Sequence, residues 1–151
     1  MKNQAQLSPK KYITSKARTL PIYKCLISKN WEESKLATIV VMRKHSNGNI
    51  TAGIYLVDIL ALGTKDTFFE FSINEKEFLE KISANNLVEA DYPLVHNIIY
   101  GANAFATEHG FRLHRDFVST TQFILEEDTE EIPLIELEFG LNGKPSLLQT
   151  L

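Results

Sequence analysis

Residues 37–58, ATIVVMRKHSNGNITAGIYLVD, decide the fold. Two runs rich in β-branched residues flank Asn47-Gly48, the preferred pair for a two-residue type I′ turn because both positions need positive φ. Such a turn predicts an antiparallel hairpin of fixed register. It sets His45 opposite Ile50, Arg43 opposite Ala52, Val41 opposite Ile54, Ile39 opposite Leu56 and Ala37 opposite Asp58. Both faces are apolar away from the turn and polar near it, so the tip is expected in solvent and the base under cover. Gly53, mid-strand, points to a bulge or a closely packed neighbour.

Upstream, LSPKKYITSKA (residues 7–17) reads as a helix start. Ser8 is placed to cap, Pro9 suits the first turn, and Leu7 with Tyr12 form a hydrophobic staple. LPIYKCLIS (20–28) alternates as a strand, with Pro21 at its beginning. Downstream, LGTKD (62–66) reads as a bend before the apolar strand TFFEFSI (67–73). INEKEFLEKI (73–82) is a helix with two agreeing start signals, an Asn74/Glu77 capping box and an Ile73/Phe78 staple. SANNLVEA (83–90) links it to the clearest helix, DYPLVHNIIYGANAFATEHG (91–110), capped by Asp91 and ended by Gly110. A short helix is expected near Asp116.

Near the end, IPLIELEFG (132–140) alternates Ile135, Leu137 and Phe139 with Glu136 and Glu138, the pattern of a half-buried strand. LNGK (141–144) predicts a second hairpin, around Asn142-Gly143, returning through PSLLQTL (145–151). Strands and helices fall in blocks, which predicts α+β: an antiparallel sheet with three to four helices packed on one face. Residues 7–151 are expected to form a single domain behind a flexible stretch 1–6. The apolar end fits one domain of a longer chain.

The composition is ordinary for a globular protein, 44% hydrophobic and 23% charged. One cysteine, Cys25, excludes an intrachain disulfide and a cysteine metal cluster, and favours a reducing, cytoplasmic setting. No apolar leader follows the N-terminal lysines, and no run is long enough to span a bilayer. The net charge of −3 hides an asymmetry. Lys2, Lys10, Lys11, Lys16, Arg18, Lys24 and Lys29 precede any acid, whereas Glu126, Glu127, Asp128, Glu130, Glu131, Glu136 and Glu138 follow one another without a base. The two segments are either solvated faces that attract each other, or a basic surface for phosphate backbones or an acidic partner.

The segments LPIYKC, NGNITAGIYLVD, LGTKDTFF, HNIIYGANAFATEHGF and IPLIELEFGLNGKP together resemble a bacterial domain family of unknown function, from about Leu7 to Pro145. The resemblance implies a real domain. It carries over no catalytic residue and no cofactor.

Phosphate-loop, dinucleotide, nucleophile-elbow and zinc-protease motifs do not occur. Isolated candidates for chemistry remain. Asp58, an acid at a strand end among apolar neighbours, is placed to hold a divalent metal, to act as a base, or to accept backbone N–H groups where the strand turns. Lys65 and Asp66 follow Gly63 in the expected bend. His96, Tyr100, Asn103 and Thr107 form a polar row on the long helix, a groove lining or a solvated flank. His114 and Asp116 are a ligand pair or a loop residue and a cap. Cys25 reads as a small buried hydrophobe.

Three functions are therefore expected to compete. The first is a non-catalytic interaction or accessory domain that meets a protein partner or other domains of a longer chain, with no cofactor. The second is a metal-assisted hydrolase or nuclease using Asp58, Lys65, Asp66 and His96. The third is nucleic-acid binding through Lys10, Lys11, Lys16 and Arg18. A membrane is not expected as a partner.

Overall fold

The hairpin at the centre of the sequence is the centre of the sheet. A computed structural model of the protein describes residues 7–147. The readings of residues 1–6 as loose and of 148–151 as the end of a hairpin lie outside the described residues. Strands β1 (Ile22–Ser28), β2 (Leu36–Lys44), β3 (Ile50–Asp58), β4 (Gly63–Ile73) and β5 (Leu87–Ala90) form one antiparallel sheet in the order β4-β3-β2-β1-β5. Helix α1 (Pro9–Lys16) precedes β1, and a single turn, α2 (Trp31–Ser34), joins β1 to β2. Helix α3 (Glu75–Ile82) follows β4, and α4 (Tyr92–Glu108) and α5 (Arg115–Ser119) follow β5. The fold is α+β.

The hairpin register differs from the expected one by a single residue. Lys44, not His45, faces Ile50; Arg43 faces Thr51, Val41 faces Gly53, Ile39 faces Tyr55, and Asp58 faces Leu36 rather than Ala37. The cause is the turn. Gly48 alone has positive φ (+92°), and the His45 carbonyl accepts the Gly48 N–H at 3.0 Å while His45 N–H donates to Asn49 at 2.8 Å. That is a three-residue loop ending in a glycine bulge, not a two-residue type I′ turn. A one-residue slip exchanges the face partners of a whole strand.

Each face then has its own cover. Cys25, Ile27, Ala37, Ile39, Val41, Tyr55 and Val57 pack with Ile13 of α1, Val95, Ile98, Ile99 and Ala102 of α4, and Phe117 of α5. Tyr55 lies over Gly53, where a Cβ would collide with its ring, and its hydroxyl donates to the Thr121 carbonyl at 2.7 Å. The other face, Val40, Met42, Ile50 and Ala52, is closed by Phe78, Leu79 and Ile82 of α3. Three helices thus share one face, and α3 takes the opposite one. Glu75, in the first turn of α3, accepts from the Tyr23 hydroxyl and from Lys44 and fixes that helix to β1 and β2. The Tyr23 hydrogen bond, then the lysine, hold the Glu75 carboxyl below its usual range.

Helix starts follow the sequence closely. Ser8 Oγ accepts from Lys11 N–H, and Asn74 Oδ1 accepts from Glu77 N–H. Asp91 occupies the cap position of α4 without a capping side-chain bond. His114, rather than Asp116, caps α5, its Nδ1 accepting from Asp116 N–H at 3.1 Å. Two other expectations are corrected. Lys65 and Asp66 do not form a bend: β4 already begins at Gly63, Asp66 pairs opposite Leu56, and the register shifts beside it. Residues 132–140 do not form a strand. They cross the outer side of α4 as an extended strap, and Asn142-Gly143 makes a tight turn closed by a Leu141–Lys144 bridge, not a sheet hairpin. The backbone turn is as expected, with φ of 54° and 77°; among the described residues no strand flanks it.

Arg43 is the most deeply buried of the lysines, arginines and carboxylates among the described residues. Arg43, 1% exposed, leaves β2 towards α1 and the strap. Its Nε donates to the Ile124 carbonyl at 2.6 Å, Nη1 to the Leu20 carbonyl at 2.5 Å, and Nη2 pairs with Glu126 at 3.2 Å. Truncation would leave the Ile124 carbonyl buried without its donor, while Glu126, 42% exposed, stays in reach of solvent. Arg43→Ala is expected to cost about 1–3 kcal/mol in urea unfolding, the cost of a buried acceptor left unpaired. Arg43→Lys, with a point charge in place of a planar fork, should recover only a minor part. A midpoint equal to wild type in either variant would contradict this assignment.

Candidate functional site

Helix α4 buries Val95, Ile98, Ile99, Ala102 and Ala106 against the sheet and turns His96, Asn97, Tyr100 and Gly101 towards the strap. Two grooves, of about 440 and 510 Å³, run between this flank and residues 128–139. They share His96, Asn97, Asp128 and Leu134, so they are two ends of one depression.

His96 is the pivot of its wall. The side chain is 2% exposed, with both ring nitrogens engaged. Tyr92 Oη lies 2.7 Å from Nδ1, and Nε2 lies 3.0 Å from Asp128 Oδ1. The Tyr92 oxygen also accepts from Glu126 N–H at 2.8 Å, which joins the His96 ring to the start of the strap. Burial pushes the Tyr92 phenol well up, the Glu126 N–H opposing it, so Tyr92 keeps its proton at neutral pH. Tyr100 stacks on His96 with ring centroids 4.6 Å apart, and burial raises its phenol too.

Asn97 grips the strap from the next position. Its Nδ2 donates to the Pro133 carbonyl at 2.9 Å, and its Oδ1 accepts from Ile135 N–H at 3.1 Å. The amide thus bonds the peptide groups on both sides of Leu134, as a neighbouring strand would. Leu134 is left 85% exposed. Further along, Phe139 sits on Gly101, where any Cβ would collide with its ring. Gly140 N–H donates to the Ile59 carbonyl at 2.9 Å, and Ser146 N–H to the Leu60 carbonyl at 2.9 Å.

Both nitrogens of the His96 ring are engaged within the protein. A general base needs a free nitrogen within reach of substrate, and His96 has none. The only hydroxyls lining the groove are those of Tyr100 and Thr129, and neither bonds to a base.

The sequence candidates are dispersed. Asp58 is 2% exposed and accepts N–H groups from Leu60 at 3.0 Å and Leu62 at 3.3 Å, shaping the turn into β4. Lys65 is exposed on β4, and Asp66 accepts from Thr67 N–H and approaches His114 at 3.7 Å. Neither groove beside His96 includes Asp58, Lys65 or Asp66. Among the described residues, no three His, Cys, Asp or Glu side chains come together to hold a metal ion. Of the polar row on α4, His96 and Tyr100 share the groove. Asn103 instead turns to β4, where its Oδ1 accepts from Thr64 N–H at 2.7 Å. Thr107 returns its hydroxyl to the helix.

Lys10, Lys11 and Lys16 are exposed on α1, and Lys10 borders a separate hollow of about 250 Å³ beside Phe68. Arg18 is committed to the Leu125 and Gln122 carbonyls and lies 4.0 Å from Glu127. Cys25 is buried, its thiol pushed up to about 12 by desolvation against the pull of Arg43, and is chemically quiet.

Sequence reading overlooked Asn97, Asp128, Leu134 and Glu136. Gly101 carried a usable signal, since a helix-interior glycine marks close packing. No protein family, curated protein or solved structure matches the chain.

Gly101→Ala should lift Phe139 and loosen the strap, at a cost of about 1–3 kcal/mol for an overpacked contact. A glutamate-specific protease should then cut residues 130–138 about tenfold faster than in wild type, cleavage following the open population. Equal cutting rates would show that the strap does not depend on this seat.

Proposed function

We propose that this chain is a non-catalytic interaction domain, of bacterial and cytoplasmic origin, that docks a segment of a partner protein along α4 and the strap. The observation carrying this reading is Leu134, 85% exposed while Asn97 fixes the peptide groups on both its sides. Scattered exposed leucines need no explanation. This one shares a strap with Ile135, Leu141 and Leu147, which are 36%, 60% and 53% exposed. Apolar side chains on a backbone already fixed lose little entropy on binding, which favours recognition.

The other two readings draw less from the geometry. A metal-assisted hydrolase needs Asp58, Asp66 and His96 in one place, and neither groove beside His96 includes the two aspartates. A nucleic-acid surface needs concentrated positive charge, whereas Arg18 and Lys24 have Glu127 and Glu75 beside them and leave the α1 lysines alone. No helix among the described residues is long and apolar enough to cross a membrane.

Selection of displayed peptides against the full chain tests the proposal. Enriched peptides should converge, and Leu134→Ser should weaken their binding about tenfold or more, the effect of losing a central anchor, with thermal stability unchanged. Failure to enrich any peptide, or full binding by the Leu134→Ser protein, would remove the proposal.

A further inference from the structure

The chemistry of the groove that reaches Tyr100 and Phe139 names the ligand more closely. Its walls bring aromatic rings, Tyr100 and Phe139, together with two carboxylates, Asp128 and Glu136. None of its lining residues is a lysine or arginine, and both ring nitrogens of His96 are taken up by Tyr92 and Asp128. Asp128 uses Oδ1 for His96, and its side chain is otherwise 59% exposed, which leaves acceptor capacity facing outward in a fixed orientation. Glu136 is exposed and has no ion-pair partner among the described residues. Ring faces attract cations through their quadrupoles, and carboxylates do so directly.

We propose that this groove receives an arginine side chain of the partner segment, its guanidinium stacked on Tyr100 or Phe139 and hydrogen-bonded to Asp128 and Glu136, while Leu134 meets the apolar residues beside it. This rests on the interaction-domain reading. Arginine fits better than lysine for two physical reasons. A planar guanidinium stacks on a ring and offers a fork of donors to two acceptors, and it is less strongly hydrated than an ammonium. The groove, about 440 Å³, is also roomy for a compact ammonium. The chain itself shows the same pairing a short distance away. Arg18 lies over the Phe123 ring at 5.3 Å with Glu127 at 4.0 Å.

The test is a titration of the ¹⁵N-labelled full chain, at low salt, with acetyl-Leu-Arg-Leu amide and with its citrulline counterpart, which has the same shape without the charge. The arginine peptide should shift the amides of Tyr100, Gly101, Asp128 and Glu136 saturably. The citrulline peptide should bind about tenfold more weakly, the loss expected from one charge-assisted hydrogen bond. Glu136→Gln, an exposed change, should weaken the arginine peptide several-fold and leave the citrulline peptide unaffected. Equal affinity for the two peptides, or saturable shifts elsewhere on the molecule, would overturn the arginine assignment. Displayed peptides that dock on Leu134 without basic residues would overturn it as well, and would leave the interaction-domain reading standing. If no displayed peptide docks at all, that reading fails together with this one.

Discussion

The guanidinium of Arg43 is the constraint on which the rest of the structure depends. Moving a charge out of water costs several kcal/mol, and only complete hydrogen bonding offsets it. Here the partners come from three places: Leu20 before β1, Ile124 at the end of the short turn after α5, and Glu126 at the start of the strap. One side chain of the central hairpin therefore fixes where the chain enters the sheet and where it leaves the core. Arg18 repeats the device at the surface, bonding the carbonyls of Gln122 and Leu125. The basic start and acidic end of the sequence do meet, through Arg18 and Glu127, although the deepest pair uses an arginine from β2.

From that anchor the groove follows in order. Glu126, fixed by Arg43, presents its N–H to Tyr92, and Tyr92 orients His96. His96 in turn holds Asp128, and Asn97 takes over the backbone at Pro133 and Ile135. Phe139 on Gly101 closes the far end. The strap is thus attached by side chains rather than by a neighbouring strand, which leaves one of its sides open. An extended segment held in this way keeps Leu134 open to solvent on a fixed backbone.

Local features were legible in the sequence because local forces make them. Ser8 and Asn74 cap where their spacing says, and the apolar stripe of α4 faces the sheet. The central hairpin was legible in existence but not in register, since Asn47-Gly48 is compatible with both a two-residue turn and a three-residue loop with a bulge. β5 escaped notice because four residues, LVEA, carry too little pattern. The strap misled for a physical reason: alternation of apolar and acidic residues reports an extended backbone with one side buried, and does not say whether the neighbour is a strand or the side chain of Asn97.

The site was half legible. The i, i+4 spacing placed His96 and Tyr100 together, and their rings do stack. Asp128 was hidden in an acidic run that reads as a solvated connection, because its partner lies thirty-two positions earlier in the chain. Asp58, prominent as an acid in an apolar stretch, serves the turn that follows it. The claim that the strap is a docked, ordered part of the domain is tested most directly by native-state hydrogen exchange. The amides of Glu126, Ile135 and Gly140, which donate to Tyr92, Asn97 and Ile59, should be protected well above peptide rates. Exchange of all three at the rate of an unstructured peptide, with the β2 and β3 amides still protected, would contradict the account.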